Sequence, residues 1–268
     1  MKKALFPTLL LSALLTAACN PAASEQKNAA APCNTKTGKN APSPLLYSAF
    51  TGNTANVRCL LDSGADVNAA PGNNATTALM VAAGEGHLDT VRLLIERGAT
   101  VDAATAEVGI TALMAAASEG HLDTVRLLIE KGANAGAVAN SGSSPLMLAA
   151  AKGHTDIARL LIEKGANVSA AANNGITPLT LTAAQKHTDI YLARLLIEKG
   201  ANLDATSKGG NSALVTATRM GHTDLVRLLI EKGADVNATD KNGTTALGIA
   251  QAKGHTAIAD MLRAAGAK

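Results

Sequence analysis

The chain has 268 residues and a formal net charge of +3, with 47% hydrophobic and 17% charged residues. It contains two tyrosines, two phenylalanines and no tryptophan. If Lys2 and Lys3 are removed with an N-terminal signal, 22 basic and 21 acidic residues leave a net charge of +1. Pairs four residues apart, such as Arg92 and Glu96, are expected to cancel charge locally, so the sequence argues against nucleic-acid binding.

Residues 1–18 have the pattern of a secretory signal peptide. Two lysines precede an apolar run that is shorter than the roughly 20 residues a membrane-spanning helix needs. The ending LeuThrAlaAlaCys resembles a bacterial lipobox, although Thr16 stands where Leu is commonest. The resemblance implies cleavage before Cys19, lipidation of that cysteine and, because Asn20 follows, a periplasmic protein anchored in the outer membrane by its lipid alone. Cleavage before an unmodified Cys19 is the alternative.

Residues 20–42 are predicted to form a flexible leash. They consist mostly of Ala, Asn, Pro, Lys and Ser, which cannot form a packed core, and about 23 such residues span on the order of 25 Å. Cys33 in the leash and Cys59 beyond it form an even pair, which favours a disulfide in an oxidising compartment. The alternative is two unpaired thiols, with Cys59 buried as a small apolar side chain.

A short strip, RLLIEKG in its clearest form, recurs along the rest of the chain every 33 to 35 residues. Its last residues are Gly64, Gly98, Gly132, Gly165, Gly200, Gly233 and Gly266. Within one unit, Ser144 and Pro145 predict the start of a short helix, and a Leu-rich second helix is predicted to end at Gly165. One such unit cannot bury a core alone, so the pattern predicts an all-α helical solenoid of seven stacked units.

The motifs of these units resemble the ankyrin repeat. ThrProLeu stands at Thr177–Leu179, GlyHis separates the two predicted helices, and GlyAla follows the second helix. The matching units are about 43–75, 76–109, 110–142, 143–175, 176–210, 211–243 and 244–268. The family's usual histidine after ThrProLeu is replaced in every unit, by Thr180 in the fifth, which removes a hydrogen bond between loop and helix. The resemblance implies protein binding.

Histidine and aspartate recur at fixed positions in the repeat. The six histidines, which all follow the first helix, are His87, His121, His154, His187, His222 and His255. Stacked helices lie about 8–10 Å apart and a metal lies about 2 Å from its ligands, so successive histidines are not expected to share an ion. We expect each histidine to be satisfied within its own repeat, and the aspartates after them, such as Asp89, to cap the second helix. The sequence therefore predicts no enzyme, cofactor, metal site or catalytic residue.

The fifth unit is irregular. Tyr191 and Leu192 are inserted into it, and Lys186 replaces the glycine that precedes the histidine. We expect its second helix to start differently, with Tyr191 either packed at a bulge or exposed as a contact for a partner. In the first unit, Tyr47 and Phe50 are expected to fill the N-terminal cap of the array or, if exposed, to anchor a partner.

The loop tips and first helices are expected to form a concave binding face. Candidate contacts there are the loop residues Asn73, Asn74, Glu107, Asn140, Ser141, Asn173, Asn174, Lys208, Asn211, Lys241 and Asn242, with Glu85, Glu119, Lys152, Arg219 and Lys253 behind them. Tyr191 is a separate candidate. We therefore expect a monomeric scaffold or adaptor that binds a protein in the bacterial cell envelope. An inhibitor or immunity protein of a toxic envelope enzyme is one alternative. A secreted effector directed at a host is another.

Overall fold

The computed structural model describes Cys33, residues 43–187 and residues 189–268. The predicted signal peptide, the lipidation site Cys19 and the leash apart from Cys33 lie outside the described residues. The chain divides into two compact units, Met1–Asn134 (unit 1) and Ala135–Lys268 (unit 2). Over the described ranges, no helix combines the length and apolarity needed to cross a membrane.

Both units consist of helix pairs joined by loops, so the prediction of an all-α fold is confirmed. Unit 1 contains α1 (Pro44–Phe50), α2 (Thr54–Asp62), α3 (Ala78–Gly84), α4 (Leu88–Glu96), α5 (Ala112–Glu119) and α6 (Leu122–Glu130). Unit 2 contains α7 (Pro145–Lys152), α8 (Thr155–Glu163), α9 (Pro178–Ala184), α10 (Ile190–Glu198), α11 (Ala213–Met220), α12 (Thr223–Glu231), α13 (Ala246–Lys253) and α14 (Thr256–Ala264). Odd-numbered helices are the first of each pair.

Every first helix begins at a hydroxyl N-cap. The hydroxyl oxygen accepts a hydrogen bond from the backbone N–H three residues later, at 3.1 to 3.4 Å. The capping residues are Ser43, Thr77, Thr111, Ser144, Thr177, Ser212 and Thr245. Such a bond satisfies one of the backbone donors that a helix start leaves unpaired, which confirms the predicted role of these residues.

The second helices begin differently from the prediction. In α4, α6, α8 and α12 the N-cap position is a histidine that makes no side-chain capping bond. The aspartate, for example Asp89, lies in the first turn and is favoured by the positive end of the helix dipole. The expectation of a side-chain cap is therefore wrong for the aspartates of these four helices, whereas their predicted position near the positive end of the helix is confirmed. The end of α8 is as predicted, since Gly165 follows it with a φ of +86°.

The core of each unit lies between neighbouring helix pairs. First helices pack on first helices and second helices on second helices, in the orders α1–α3–α5 and α2–α4–α6 in unit 1 and α7–α9–α11–α13 and α8–α10–α12–α14 in unit 2. Alanines such as Ala82 and Ala116 are fully buried and let the first helices approach closely. Leu94 and Leu161 of the second helices are also fully buried, so the Leu-rich strip is the core side of the second helix.

Histidine recurs at one position of the repeat because it contacts the neighbouring repeat. In unit 1, Nε2 of His87 lies 2.9 Å from the carbonyl oxygen of Phe50, and Nε2 of His121 lies 2.9 Å from that of Gly84. Each bond ties a second helix to the first helix of the preceding repeat, 37 residues earlier. The expectation that each histidine is satisfied within its own repeat is therefore wrong. A Cβ on Gly86 would overlap the His121 ring, which explains the glycine beside it.

The predicted Arg–Glu pairs do not form. Ion pairs in the described part of the chain include Arg97–Asp62 at 2.6 Å and Arg263–Asp260 at 2.8 Å. Arg92 and Glu96, and their four equivalents, do not come within salt-bridge distance. The basic residue precedes the acidic one in all of them, which is the less favourable order on a helix. The long side chains consequently remain in solvent.

Candidate functional site

Finger-like loops precede the first helices and are joined to one another by backbone hydrogen bonds. In unit 1, the N–H of Ala106 donates to the carbonyl of Asn74 at 3.0 Å. In unit 2, three such bonds of 2.8 to 2.9 Å connect four successive loops, with donors and acceptors in the pairs Asn173–Ser141, Lys208–Asn174 and Lys241–Gly209. The loops are therefore fixed relative to one another within each unit, although the family's usual histidine is absent.

Several candidate contact residues help to hold these loops. The side-chain amide of Asn173 donates to the carbonyl of Asn140 at 2.8 Å, and the side-chain oxygen of Asn174 accepts from the N–H of Ile176 at 3.2 Å. The side-chain oxygens of Asn74 and Asn211 are buried without a hydrogen-bond partner. We therefore assign Asn173 and Asn174 a structural role in addition to any contact they make.

Other candidates lie at exposed positions on the loop tips. In unit 1 these are Asn73 and Glu107. In unit 2 they are Asn140, Ser141, Lys208, Lys241 and Asn242. The side chain of Arg219, at the end of α11, reaches Asp240 in the next loop at 3.2 Å. This ion pair shows that the end of a first helix and a finger loop present side chains to a common surface in unit 2.

Charge on this surface differs between the units. We define the front segment of a repeat as its finger loop plus its first helix, up to the last described residue before the N-cap of the second helix: 43–52, 69–86 and 103–120 in unit 1, and 136–153, 170–187, 205–221 and 239–254 in unit 2. Unit 1 front segments contain the acidic residues Glu85, Glu107 and Glu119 and no Lys or Arg. Unit 2 front segments contain six basic residues, Lys152, Lys186, Lys208, Arg219, Lys241 and Lys253, and one acidic residue, Asp240.

The near-neutral total charge hides this division. Residues 43–134 have 5 basic and 10 acidic residues, a net charge of −5, whereas residues 135–268 have 14 basic and 10 acidic residues, a net charge of +4. The interpretation that charges cancel locally missed it, because it compared neighbours along a helix. Counting charge over the front segments of successive repeats would have found it.

Two carboxyl groups on this surface have perturbed ionisation. Desolvation raises the pKa of Glu85, helped by the nearby negative charge of Glu119 and opposed by His87 and His121. Backbone N–H groups of Thr244 and Asn242 donate to Asp240 and, together with Arg219, hold the pKa of that carboxyl below its usual value. The first group resists ionisation and the second favours it.

The turn between the helices of the fifth repeat differs from the other turns, and Gln185 is the residue of this turn that contacts the preceding repeat. The side chain of Gln185 donates to the carbonyl of Ala150, which is the contact that histidine makes in regular repeats, and its amide oxygen would lie 3.4 Å from a Cβ on Gly153. His187 is exposed instead. The next repeat remains regular, since Nε2 of His222 lies 2.8 Å from the carbonyl oxygen of Gln185.

The second helix of this repeat starts differently, as predicted. Asp189 is the N-cap of α10, and its side chain accepts from the N–H of Tyr191 at 2.8 Å and of Leu192 at 3.1 Å. Tyr191 is 75% exposed, so the alternative in which it packs into a bulge is wrong. A partner contact at Tyr191 stays a prediction.

The first repeat is linked to the residues before it by a disulfide between Cys33 and Cys59, whose Cα atoms lie 5.5 Å apart. Cys59 lies in α2, and Ser63 at the end of that helix lies 3.3 Å from the Cys33 sulfur. Phe50 is half-buried and Tyr47 is 39% exposed, so neither is a fully buried cap residue. No group of three or more His, Cys, Asp or Glu suited to hold a metal occurs in the part of the chain that the structure describes.

Comparisons with known proteins agree with this geometry. A family model described as "Ankyrin repeats (3 copies)" matches residues 10–105, 101–172, 169–240 and 210–268. The chain belongs to the ankyrin-repeat family. The crystal structure of the human ASB11 ankyrin repeat domain is similar to it, with a TM-score of 0.73 and 26% identity, covering 85% of this chain and 99% of that one. A search of curated proteins found no significant match.

Membership of the ankyrin-repeat family gives the finger loops and first helices a general role. Ankyrin repeats bind protein partners, and the family consists generally of non-enzymatic interaction domains. This ankyrin-repeat protein is thus a protein-binding scaffold, and its front segments are the candidate surface for a partner.

Proposed function

We propose that this ankyrin-repeat protein is a scaffold of the bacterial cell envelope that holds a protein partner on its front segments. The observation that carries the proposal is the run of loop-to-loop backbone bonds in unit 2, which fixes successive fingers while Lys208, Lys241 and Asn242 extend into solvent. A surface built in this way is ordered before the partner arrives. Association then costs little conformational entropy, so moderate contacts over a broad area suffice for binding.

The proposed location rests on the N-terminal sequence and on the disulfide. A signal peptide of residues 1–18, cleaved just before Cys19, would export the chain, and a lipid on Cys19 would tether it to the outer membrane. A Cys33–Cys59 disulfide suits an oxidising compartment such as the periplasm. The chain between Cys19 and the first repeat would then hold the array at a short distance from the membrane.

Site-specific photocrosslinking in intact cells tests the surface. A benzophenone side chain is placed at Lys208 or Asn242 on the finger tips and, as matched controls, at the exposed Arg194 or Arg227 on the second helices. We expect one discrete protein adduct from the finger positions and none from the controls. Adducts that form from the second helices alone would assign binding to the opposite side of the helix pairs and contradict the proposal.

Metabolic labelling with a palmitate analogue tests the tether. The chain should be labelled and sediment with outer membranes, and Cys19→Ala should be unlabelled and soluble in the periplasm. Wild-type protein that is unlabelled and recovered from the culture medium would favour the secreted effector instead.

A further inference from the structure

The basic residues of unit 2 occupy nearly equivalent positions in successive repeats. Lys152 and Lys253 are the last residues of α7 and α13, and Arg219 is the penultimate residue of α11. Lys186 lies two residues beyond the end of α9. Each of the four stacked first helices therefore presents one cation near its C-terminal end. Lys208 and Lys241 add cations on the finger tips of the same surface.

Five of these six cations have no acidic partner. In the described residues, the ion pair of this surface is Arg219–Asp240, and no carboxylate lies within salt-bridge distance of the five lysines. The other acidic residues of unit 2 lie on its second helices, at their starts or in the turns between repeats, for example Asp156, Glu163 and Asp204. The front segments of unit 2 thus carry an uncompensated positive charge, whereas those of unit 1 carry only acidic groups.

The spacing of the cations fits an extended polypeptide. Neighbouring stacked helices lie about 8–10 Å apart, so the four helix-end positions span roughly 30 Å. An extended chain in the polyproline II conformation rises about 3.1 Å per residue with three residues per turn, so a segment of about ten residues would span them and every third side chain would lie on the same side, opposite a new repeat. The surface also exposes Met220 (44%) and Val138 (62%), two apolar side chains that can contact a polypeptide beside the cations.

From these observations we infer that the front surface of unit 2 binds an extended acidic segment of a protein partner, with Asp or Glu at about every third residue. The inference rests on the proposed function and adds the chemical class of the partner. Nucleic acid is disfavoured because the front segments of unit 2 contain no Phe, Tyr or Trp on which a base could stack. The exposed amide of Asn242 can bond to the backbone of a peptide.

The probe is a fluorescent ten-residue peptide with Glu at every third position, separated by Gly and Ser. Fluorescence anisotropy at low salt compares it with the same peptide carrying Gln in place of Glu. We expect the Glu peptide to bind at least about tenfold more tightly and to lose that advantage at high salt, because surface charges are screened. Equal binding of the two peptides would overturn the inference.

A matched pair of triple variants tests the location. Lys152→Glu, Lys186→Glu and Lys253→Glu reverse the front surface, whereas Lys164→Glu, Lys199→Glu and Lys232→Glu make the same charge change at the C-caps of the second helices. We expect about a tenfold loss of peptide affinity in the first variant and less than about a twofold loss in the second. Equal losses would mean that only net charge matters and would overturn the inference. Circular dichroism melting confirms that both variants are folded.

Two further results would also overturn it. One is tighter binding of a ten-residue oligothymidylate than of the Glu peptide, lost in the front variant, which would assign the surface to nucleic acid. The other is self-association at low salt that disappears in Glu85→Gln/Glu107→Gln/Glu119→Gln, since the occupant would then be the acidic surface of a second copy. Failure here with intact finger-specific photocrosslinks would leave the proposed scaffold function standing.

Discussion

Units 1 and 2 use the same repeat scaffold but present opposite charge on it. The helix-end position occupied by Glu119 in unit 1 is occupied by Lys152 in unit 2, although both helices start at a hydroxyl cap and end at a glycine with positive φ. The scaffold constrains the buried and turn positions of the repeat. These solvent-exposed positions are not constrained in this way and can carry different charges, so a partner can distinguish the two units by charge.

The two units also depart from the regular repeat in different ways. Unit 1 starts with a repeat joined through a disulfide to Cys33, whereas unit 2 contains the fifth repeat, in which Gln185 has taken over the contact usually made by histidine. The repeat contact is therefore defined by its acceptor, the carbonyl at the end of the preceding first helix, and more than one donor can satisfy it. The following predictions test these differences, from the largest expected effect to the smallest.

Loss of the disulfide should weaken unit 1 and leave unit 2 unchanged. The bridge closes a loop with a sequence separation of 26 residues, and Cys33→Ser/Cys59→Ser is expected to cost about 3–4 kcal/mol. Hydrogen exchange read separately for peptides of the two units measures the effect. Addition of a reductant to the wild type should reproduce it. A uniform loss of protection across both units would contradict the confinement to unit 1.

Replacement of histidine should distinguish a regular repeat from the fifth repeat. His121→Ala removes the donor to the Gly84 carbonyl and is expected to cost about 1–3 kcal/mol, because a partly buried acceptor loses its partner. His187→Ala removes an exposed side chain and should change stability by less than about 0.5 kcal/mol.

Urea denaturation of these variants and of Gln185→Ala provides the measurement. Gln185→Ala should resemble His121→Ala, since both remove the donor to the preceding first helix. If His187→Ala destabilised the protein as much as His121→Ala, the assignment of this contact to Gln185 instead of His187 would be wrong.

The smallest effect concerns the acidic surface of unit 1. Because the pKa of Glu85 is raised in the folded protein, the folded state holds this proton more tightly than the unfolded state. Its contribution to stability is therefore greatest below the ordinary glutamate pKa and decreases as the pH rises through the raised folded-state value. Glu85→Gln should raise stability slightly at neutral pH and flatten this dependence, which melting curves between pH 4 and pH 7 would detect.

Lys152→Gln is the matched control at the equivalent helix end in unit 2. It should leave the stability profile over this acidic range unchanged. The test is the difference in stability between the wild type and Glu85→Gln, because other groups contribute equally to both proteins. A difference that does not change between pH 4 and pH 7 would contradict the prediction.

Much of the fold could be predicted from local sequence. The hydroxyl residues before each first helix, the glycine after each second helix and the Leu-rich strip all act within one repeat, where the chain itself brings the interacting groups together. The changed start of α10 was predictable for the same reason, because an insertion of two residues displaces Asp189 from its usual place. The finger residues were placed on exposed loops, but the use of Asn173 to hold a neighbouring loop was not predicted.

The sequence alone determined the length of the repeat, the pair of helices in each repeat and which residues belong to the array, because these depend on residues close together in the chain. Only the tertiary structure decided three other features: the hydrogen bond from His121 to the preceding repeat, the use of Gln185 instead of His187 for the equivalent contact, and the common surface of Arg219 and Asp240. In each case one side chain meets an atom of another repeat, and stacking alone brings the two within hydrogen-bond distance. The same stacking turns single lysines, each unremarkable in its own repeat, into the basic surface of unit 2.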